Sequence, residues 1–371
     1  MHRSSKTPVL CVVLAAVVVA LVGASQASTA TTANTLPANP LATTLKSLSG
    51  LKYHDWLSKV TQMAAEEGQV NVYTSLSSLV QKPLEAAWAQ QFPNVKLNMY
   101  RASSEDVTAK VLAERSANAS GADVIETNGT NMLIFQHQKN VLVPYTTDVW
   151  RKQVPKAFQY DTFTADRLEK FVVAWNTNLV KDPPRSFAQL ADPKWAGKLA
   201  IEPTDVDWFA TLYQYFEGKI GKAKADTMFK AISANAQVIN GHTAQANLLA
   251  AGQVQVIVSG HAQSIEQLQA KKAPIAFSPF VLPVVERPQG MGIAYRLPHP
   301  AAAMLFYNWL LSPTGQKILQ ANGVVPANPY YPDSAFASKP FTIRVDERPI
   351  VANYQSWSKV YSGFTSLGKA G

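Results

Sequence analysis

Cysteine is almost missing from this 371-residue chain, which holds only Cys11. Everything after residue 11 is therefore without disulfides, thiolate metal sites or a cysteine nucleophile. Long apolar runs are scarce too. The longest, Val9 to Val22, spans 14 residues, short of the roughly 20 needed to cross a bilayer as a helix. Although 34 Lys and Arg against 25 Asp and Glu give a formal charge of +9, no more than two basic residues stand together. That pattern lacks the basic arm of a nucleic-acid binder, and no such partner is expected. Enzymatic signatures are equally thin. There is no GxSxG, HExxH or P-loop, and Gly290-Met291-Gly292 lacks a third glycine. No catalytic residue, resident metal or cofactor is expected.

What is present begins with an address. Arg3 and Lys6 precede the apolar run, and small residues Gly23 to Ser28 follow it. This is the layout of a secretory signal, with Ser25 and Ala27 at the −3 and −1 positions of a cleavage site. Cleavage after Ala27 is expected, with Ala30 as the other candidate. Cys11 stands at the start of the apolar run rather than at the cleavage point, which speaks against a lipid anchor. Losing Arg3 and Lys6 leaves an exported chain of +7. Residues 28–48, rich in Ala, Thr, Pro and Asn, show no apolar period and read as a flexible tether. The following segment, 49–67, places Tyr53, Trp56, Leu57, Val60, Met63 and Ala64 on one helical face, and Gly68 ends it. It reads as a docking helix.

From Gln69 strands alternate with helices. Gln69–Thr74, Val95–Tyr100 and Ala122–Thr127 read as strands, separated by helices over Leu79–Phe92 and from Ser103 or Ser104 through Ala117. A helix over Asn131–Gln138 follows, and then the pattern breaks after Pro144. Phe171–Trp175, Leu199–Glu202 and Val254–Ser259 open a second series, with helices over Asp207–Glu217, Lys222–Ala234 and Thr243–Ala251. Val281–Val285 and Met291–Tyr295 read as two returning strands, followed by helices starting at Pro300 and Pro313. The class is α/β, with two lobes, each a doubly wound sheet flanked by helices, and a chain that crosses twice between them. Lobe 1 is expected over 68–170 plus about 285–335, and lobe 2 over 171–284 plus about 336–371.

Sheets of this kind bind ligands beyond the carboxyl ends of their strands, where helix N-termini offer free N–H groups. The turns at those ends supply the candidate contacts. In the first lobe they are Thr74, Ser75, Leu76 and Asn128, and Asn176 sits at the crossover. In the second they are Asp207, Trp208, Asn240, His242, Thr243, Ser259 and His261. Asp207, with Asp205, could accept an amine from a solute, and His242 stands just ahead of a helix start.

At the late helix pair the chain resembles a known family. The run His299-Pro300-Ala301-Ala302-Ala303-Met304-Leu305-Phe306 continues as Tyr307-Asn308-Trp309-Leu310-Leu311-Ser312-Pro313. With Val72-Tyr73-Thr74-Ser75, Gly121-Ala122-Asp123-Val124, Trp175-Asn176-Thr177 and Leu190 to Lys198, it is similar to periplasmic solute-binding proteins of ATP-binding-cassette importers. The branch is that of ferric-ion, 2-aminoethylphosphonate, thiamine and polyamine binders. The resemblance implies a periplasmic or secreted monomer that closes its lobes on a small, anionic or zwitterionic solute and delivers it to an inner-membrane ABC permease. Ferric binders of this branch carry adjacent tyrosines after the strand that here is Val254–Ser259, whereas this chain has His261-Ala262. A tyrosinate–iron site is therefore not expected. A ferric binder with other ligands, an exported hydrolase and a sensing-only binding protein are the competing readings.

Overall fold

The computed structural model describes residues 40–119, 121–332 and 334–370. The expected signal 1–27 and the first part of the tether, 28–39, lie outside the described residues. The strands are β1 (Gln69–Thr74), β2 (Lys96–Arg101), β3 (Val124–Asn128), β4 (Leu142–Val143), β5 (Phe163–Asn176), β6 (Leu199–Ile201) and β7 (Ala236–Val238). They continue with β8 (Val256–His261), β9 (Ile275–Ala276), β10 (Val284–Ala294), β11 (Val325–Pro326), β12 (Thr342–Arg344) and β13 (Lys369–Ala370). All join one sheet whose main path runs β13-β7-β6-β8-β5-β10-β3-β1-β2.

The two ends of that path are parallel, β13-β7-β6-β8 and β3-β1-β2. Between them β5 and β10 run antiparallel to each other and to their neighbours on that path, β8 and β3. These two long strands are the crossings. The buried side chains divide accordingly. One core gathers residues from Leu41 to Ala165 and from Met291 to Ala327. Two others gather residues from Phe171 to Val285 and from Phe336 to Phe364. The change of core therefore falls inside β5, between Ala165 and Phe171, and inside β10, between Val285 and Met291.

The crossings are where sequence pattern and structure part. β5 begins at Phe163 rather than near Phe171, and β10 is one strand rather than two. The segments missed, Asp166–Lys170 and Glu286–Gln289, are polar. Apolar periodicity does not register them because their side chains serve the gap between lobes instead of a core. The tether also needs correction. Pro40–Ser47 is a helix that buries Leu41 and Thr44, with Leu48 buried just beyond it.

The helix Tyr53–Glu67 buries Val60 and Ala64 and ends at Gly68, whose φ of 77° suits a residue without a Cβ. It docks on the helix Pro300–Leu311. Both Glu67 carboxylate oxygens accept from that helix's first amides, Ala301 at 3.0 Å and Ala302 at 2.8 Å, a charge placed where the helix dipole favours it. Covered by sheet on one side and by these N-terminal helices on the other, Ala301–Leu311 is buried all round. That explains its almost unbroken apolar sequence.

Candidate functional site

Six helices begin around one cavity of about 550 Å³, three from each lobe. In lobe 1 they are Ser78–Gln91, Ser104–Ser116 and Gly129–His137, which follow β1, β2 and β3. Their caps are side chains that also face the cavity: Ser77 accepts from the Leu79 amide, Ser103 from Asp106 and Asn128 from Asn131. In lobe 2 they are Val206–Ile220, His242–Ala250 and Ala262–Ala270, whose starts bring Asp205, Gly241, His242, Thr243, His261 and Gln263 to the wall. Each start carries roughly half a positive charge and unpaired N–H groups. A volume of this size suits a small molecule.

The crossing strands form the floor. Arg167 and Glu169 of β5 and Arg287 and Gln289 of β10 line it, and the ladder sets Arg287 opposite Glu169 and Gln289 opposite Arg167. Arg167 is buried against Glu126 and Asp166. Burial, only partly offset by Arg167, raises the Asp166 carboxyl to about 7. Arg287 turns to Asp207 at 3.0 Å and Asp205 at 3.7 Å and lies over the Phe171 ring. Glu202 accepts from the Gly241 amide and from the amide and hydroxyl of Thr204, which braces the lobe 2 turns.

His242 and His261, from successive βα turns, stack with ring centroids 3.5 Å apart and planes 18° from parallel. His242 Nε2 lies 3.2 Å from Asp205 and His261 Nδ1 lies 3.5 Å from Glu169. Their surroundings separate them. Burial opposes charge on His242, but Asp205 and Glu202 outweigh it and raise its pKa. Burial together with His242, Arg287 and Arg167 lowers that of His261 well below the usual range. The two rings are thus shifted in opposite directions. His242 Nδ1 and His261 Nε2 have no hydrogen-bond partner.

Ser75, Asn128, Asn240, His242, Thr243 and His261 all lie on the cavity wall. Other candidates lie elsewhere. Thr74 is buried below the wall, donating to Glu126 and accepting from the Leu76 amide, and Leu76 is itself buried. Trp208 is 1% exposed in the lobe 2 core; only its neighbour Asp205 reaches the wall. Ser259 is fully buried, one strand repeat back from His261. Asn176 stands at the wrong end. Because β5 is antiparallel to β8, Phe171 pairs with His261 while Trp175 pairs with Val256, so the end of β5 points away from the cavity. There Asn176 donates to Leu249 O and accepts from the Asn178 amide.

Asp207 bridges the lobes. It accepts from Thr130 Oγ1 of lobe 1 at 2.7 Å and from Arg287 at 3.0 Å. Pattern reading missed Arg101, Arg167, Glu169, Glu202 and Arg287. The signal for the floor was present, since Arg167 with Glu169 and Arg287 with Gln289 repeat at the two-residue period of a strand face.

Two parallel-sheet lobes joined by two crossing strands, with helix N-termini of both facing one cavity, define a two-lobed binding-protein architecture. Residues 73–317 match the family model described as bacterial extracellular solute-binding protein. The chain belongs to that family of solute-binding proteins of ABC importers. Solved structures agree in fold. The periplasmic binding protein AfuA from Actinobacillus pleuropneumoniae, with fructose-6-phosphate bound, is 20% identical over 81% of this chain and 99% of its own, with a TM-score of 0.70. MotA from A. tumefaciens B6, in complex with glucopine, is 18% identical over 80% and 99%, with a TM-score of 0.66. Iron-bound HitA from Pseudomonas aeruginosa is 15% identical over 79% and 99%, with a TM-score of 0.64. The helices 40–47 and 53–67 precede the matched segment. No tyrosine is among the residues lining the cavity.

Proposed function

We propose that the chain is exported with residues 1–27 removed, captures a small solute with an anionic group in this cavity, and delivers it as a monomer to an inner-membrane ABC permease. The observation that carries the reading is the convergence of three helix N-termini from each lobe on one space. Such ends attract anions, and a solute touching both sets stabilises the closed arrangement over the open one. Arg101 supplies a side-chain partner for the anion. It is exposed at the rim, and among the described residues its side chain bonds only from Nε to Leu76 O at 3.3 Å, leaving the terminal nitrogens to a ligand.

Calorimetry at pH 7.5 with sugar phosphates, dicarboxylates and amino acids tests this. At least one should bind, and Arg101→Ala should weaken it by roughly 10-fold or more, the worth of a lost charge-assisted hydrogen bond. Full affinity in Arg101→Ala would remove the anion from this rim.

A further inference from the structure

The floor of the cavity gathers more acidic side chains than basic ones. Six carboxylates, those of Glu126, Asp166, Glu169, Glu202, Asp205 and Asp207, are each at most 6% exposed. The buried basic groups paired with them are Arg167, Arg287 and His242. Arg167 is held by Glu126 and Asp166, Arg287 by Asp207 with Asp205 behind it, and His242 by Asp205.

Two acids remain without such a cation, and Glu202 is met instead by the Gly241 amide and by Thr204. Glu169 is 6% exposed, faces the cavity and makes no hydrogen bond. Its ladder partner Arg287 has turned away to Asp207, and the nearest basic side chain is His261, whose Nδ1 lies 3.5 Å away and whose pKa burial and the neighbouring cations lower. A buried carboxylate without a partner is costly, and a ligand that supplies the missing cation recovers that cost on binding.

We infer that Glu169 is a specificity-determining residue that receives an ammonium or guanidinium group of the solute, so the solute class is zwitterionic. The inference rests on the anion-binding reading above and adds the opposite pole. The anionic end sits at the helix starts and Arg101, and the cationic end reaches the floor between the crossing strands.

Two measurements test it. The first needs no ligand. Glu169→Gln removes a buried charge at constant shape, so it should raise the melting temperature at pH 8 by about 2–4 °C and change it less at pH 4, because burial raises the pKa of this carboxyl. A lower melting temperature at pH 8 would mean that Glu169 already serves Arg167 and Arg287, and would overturn the proposal. The second compares thermal shifts with matched pairs, O-phosphoethanolamine beside ethyl phosphate and 4-aminobutyrate beside butyrate. The amine-bearing member of a pair should stabilise the wild type, its deaminated partner should do so at least 10-fold more weakly in concentration, and Glu169→Gln should abolish the difference. Equal stabilisation by the deaminated member overturns this proposal and leaves the anion reading standing. Stabilisation by neither member of either pair overturns both.

Discussion

Thr130→Val should loosen the two lobes without altering any group that lines the cavity. Thr130 begins the third lobe 1 helix and donates to Asp207 at 2.7 Å across the gap, where both side chains are at most 3% exposed. A hydrogen bond to a charged acceptor is worth about 1.5–3 kcal/mol. Asp207 keeps Arg287 at 3.0 Å in the variant, so it is not left bare. The lower end applies, about 1.5 kcal/mol, or roughly a tenfold shift of the closed–open equilibrium toward open. Asp207→Asn removes the charge from Arg287 as well and should cost about 3 kcal/mol or more, the scale of breaking a buried pair. A second tie, Tyr160 Oη to Glu347 at 2.7 Å, is untouched in both, so separation should increase without the chain unfolding. Expressed from residue 28 onward, the chain has no cysteine. Spin labels on Lys82→Cys and Lys224→Cys, exposed positions in separate lobes, can then report the distance by electron double resonance. The distribution should gain a longer component in Thr130→Val and a larger one in Asp207→Asn. Identical distributions in all three proteins would refute the claim that this contact holds the lobes.

Two further outcomes follow from the same geometry. Trp208→Ala should destabilise by about 3–5 kcal/mol, seen in chemical denaturation, because the side chain is buried in the lobe 2 core. The histidine stack should show in stability against pH. The folded pKa of His261 lies below its unfolded value near 6.5. Its contribution is therefore complete above about pH 6.5 and is lost as pH falls toward the folded value. For His242, raised in the fold, the contribution is complete below that pH and lost as pH rises through the folded value. Melting temperatures from pH 5 to 8 should fall less steeply on the acid side for His261→Gln than for wild type, and less steeply on the alkaline side for His242→Gln. Parallel curves for all three would contradict the opposed shifts.

Where apolar period or turn chemistry governs, the sequence announces its structure. Gln69–Thr74 and Lys222–Ala234 have the expected bounds, and Ser103, Pro300 and Ser312 start helices as capping residues do. The same turns put Ser75, Asn128, Asn240 and the two histidines on the cavity wall. Legibility fails where the third dimension decides. Nothing local says that β5 runs antiparallel to β8, so Asn176 was placed at the wrong end of its strand. Nothing local says which side of a helix start faces inward, so Trp208, expected at the cavity, lies in the core while Asp205 reaches the wall. The tether's helix buries only Leu41 and Thr44, too few positions to show a period. The floor was hidden for a more physical reason. Arg167, Glu169 and Arg287 break the apolar pattern by which strands are found, because they face a space kept for something else.

On this reading a solute is held between the lobes by groups from both. Native mass spectrometry of the exported chain isolated from its own cell envelope tests it most directly. The comparison is among wild type, Arg101→Ala in lobe 1, His242→Ala in lobe 2 and, as control, the exposed Lys271→Ala. A small-molecule adduct is expected on the wild type and on Lys271→Ala, lost from both cavity variants while their charge states stay those of a folded protein. An adduct that persists undiminished in Arg101→Ala and His242→Ala would contradict it.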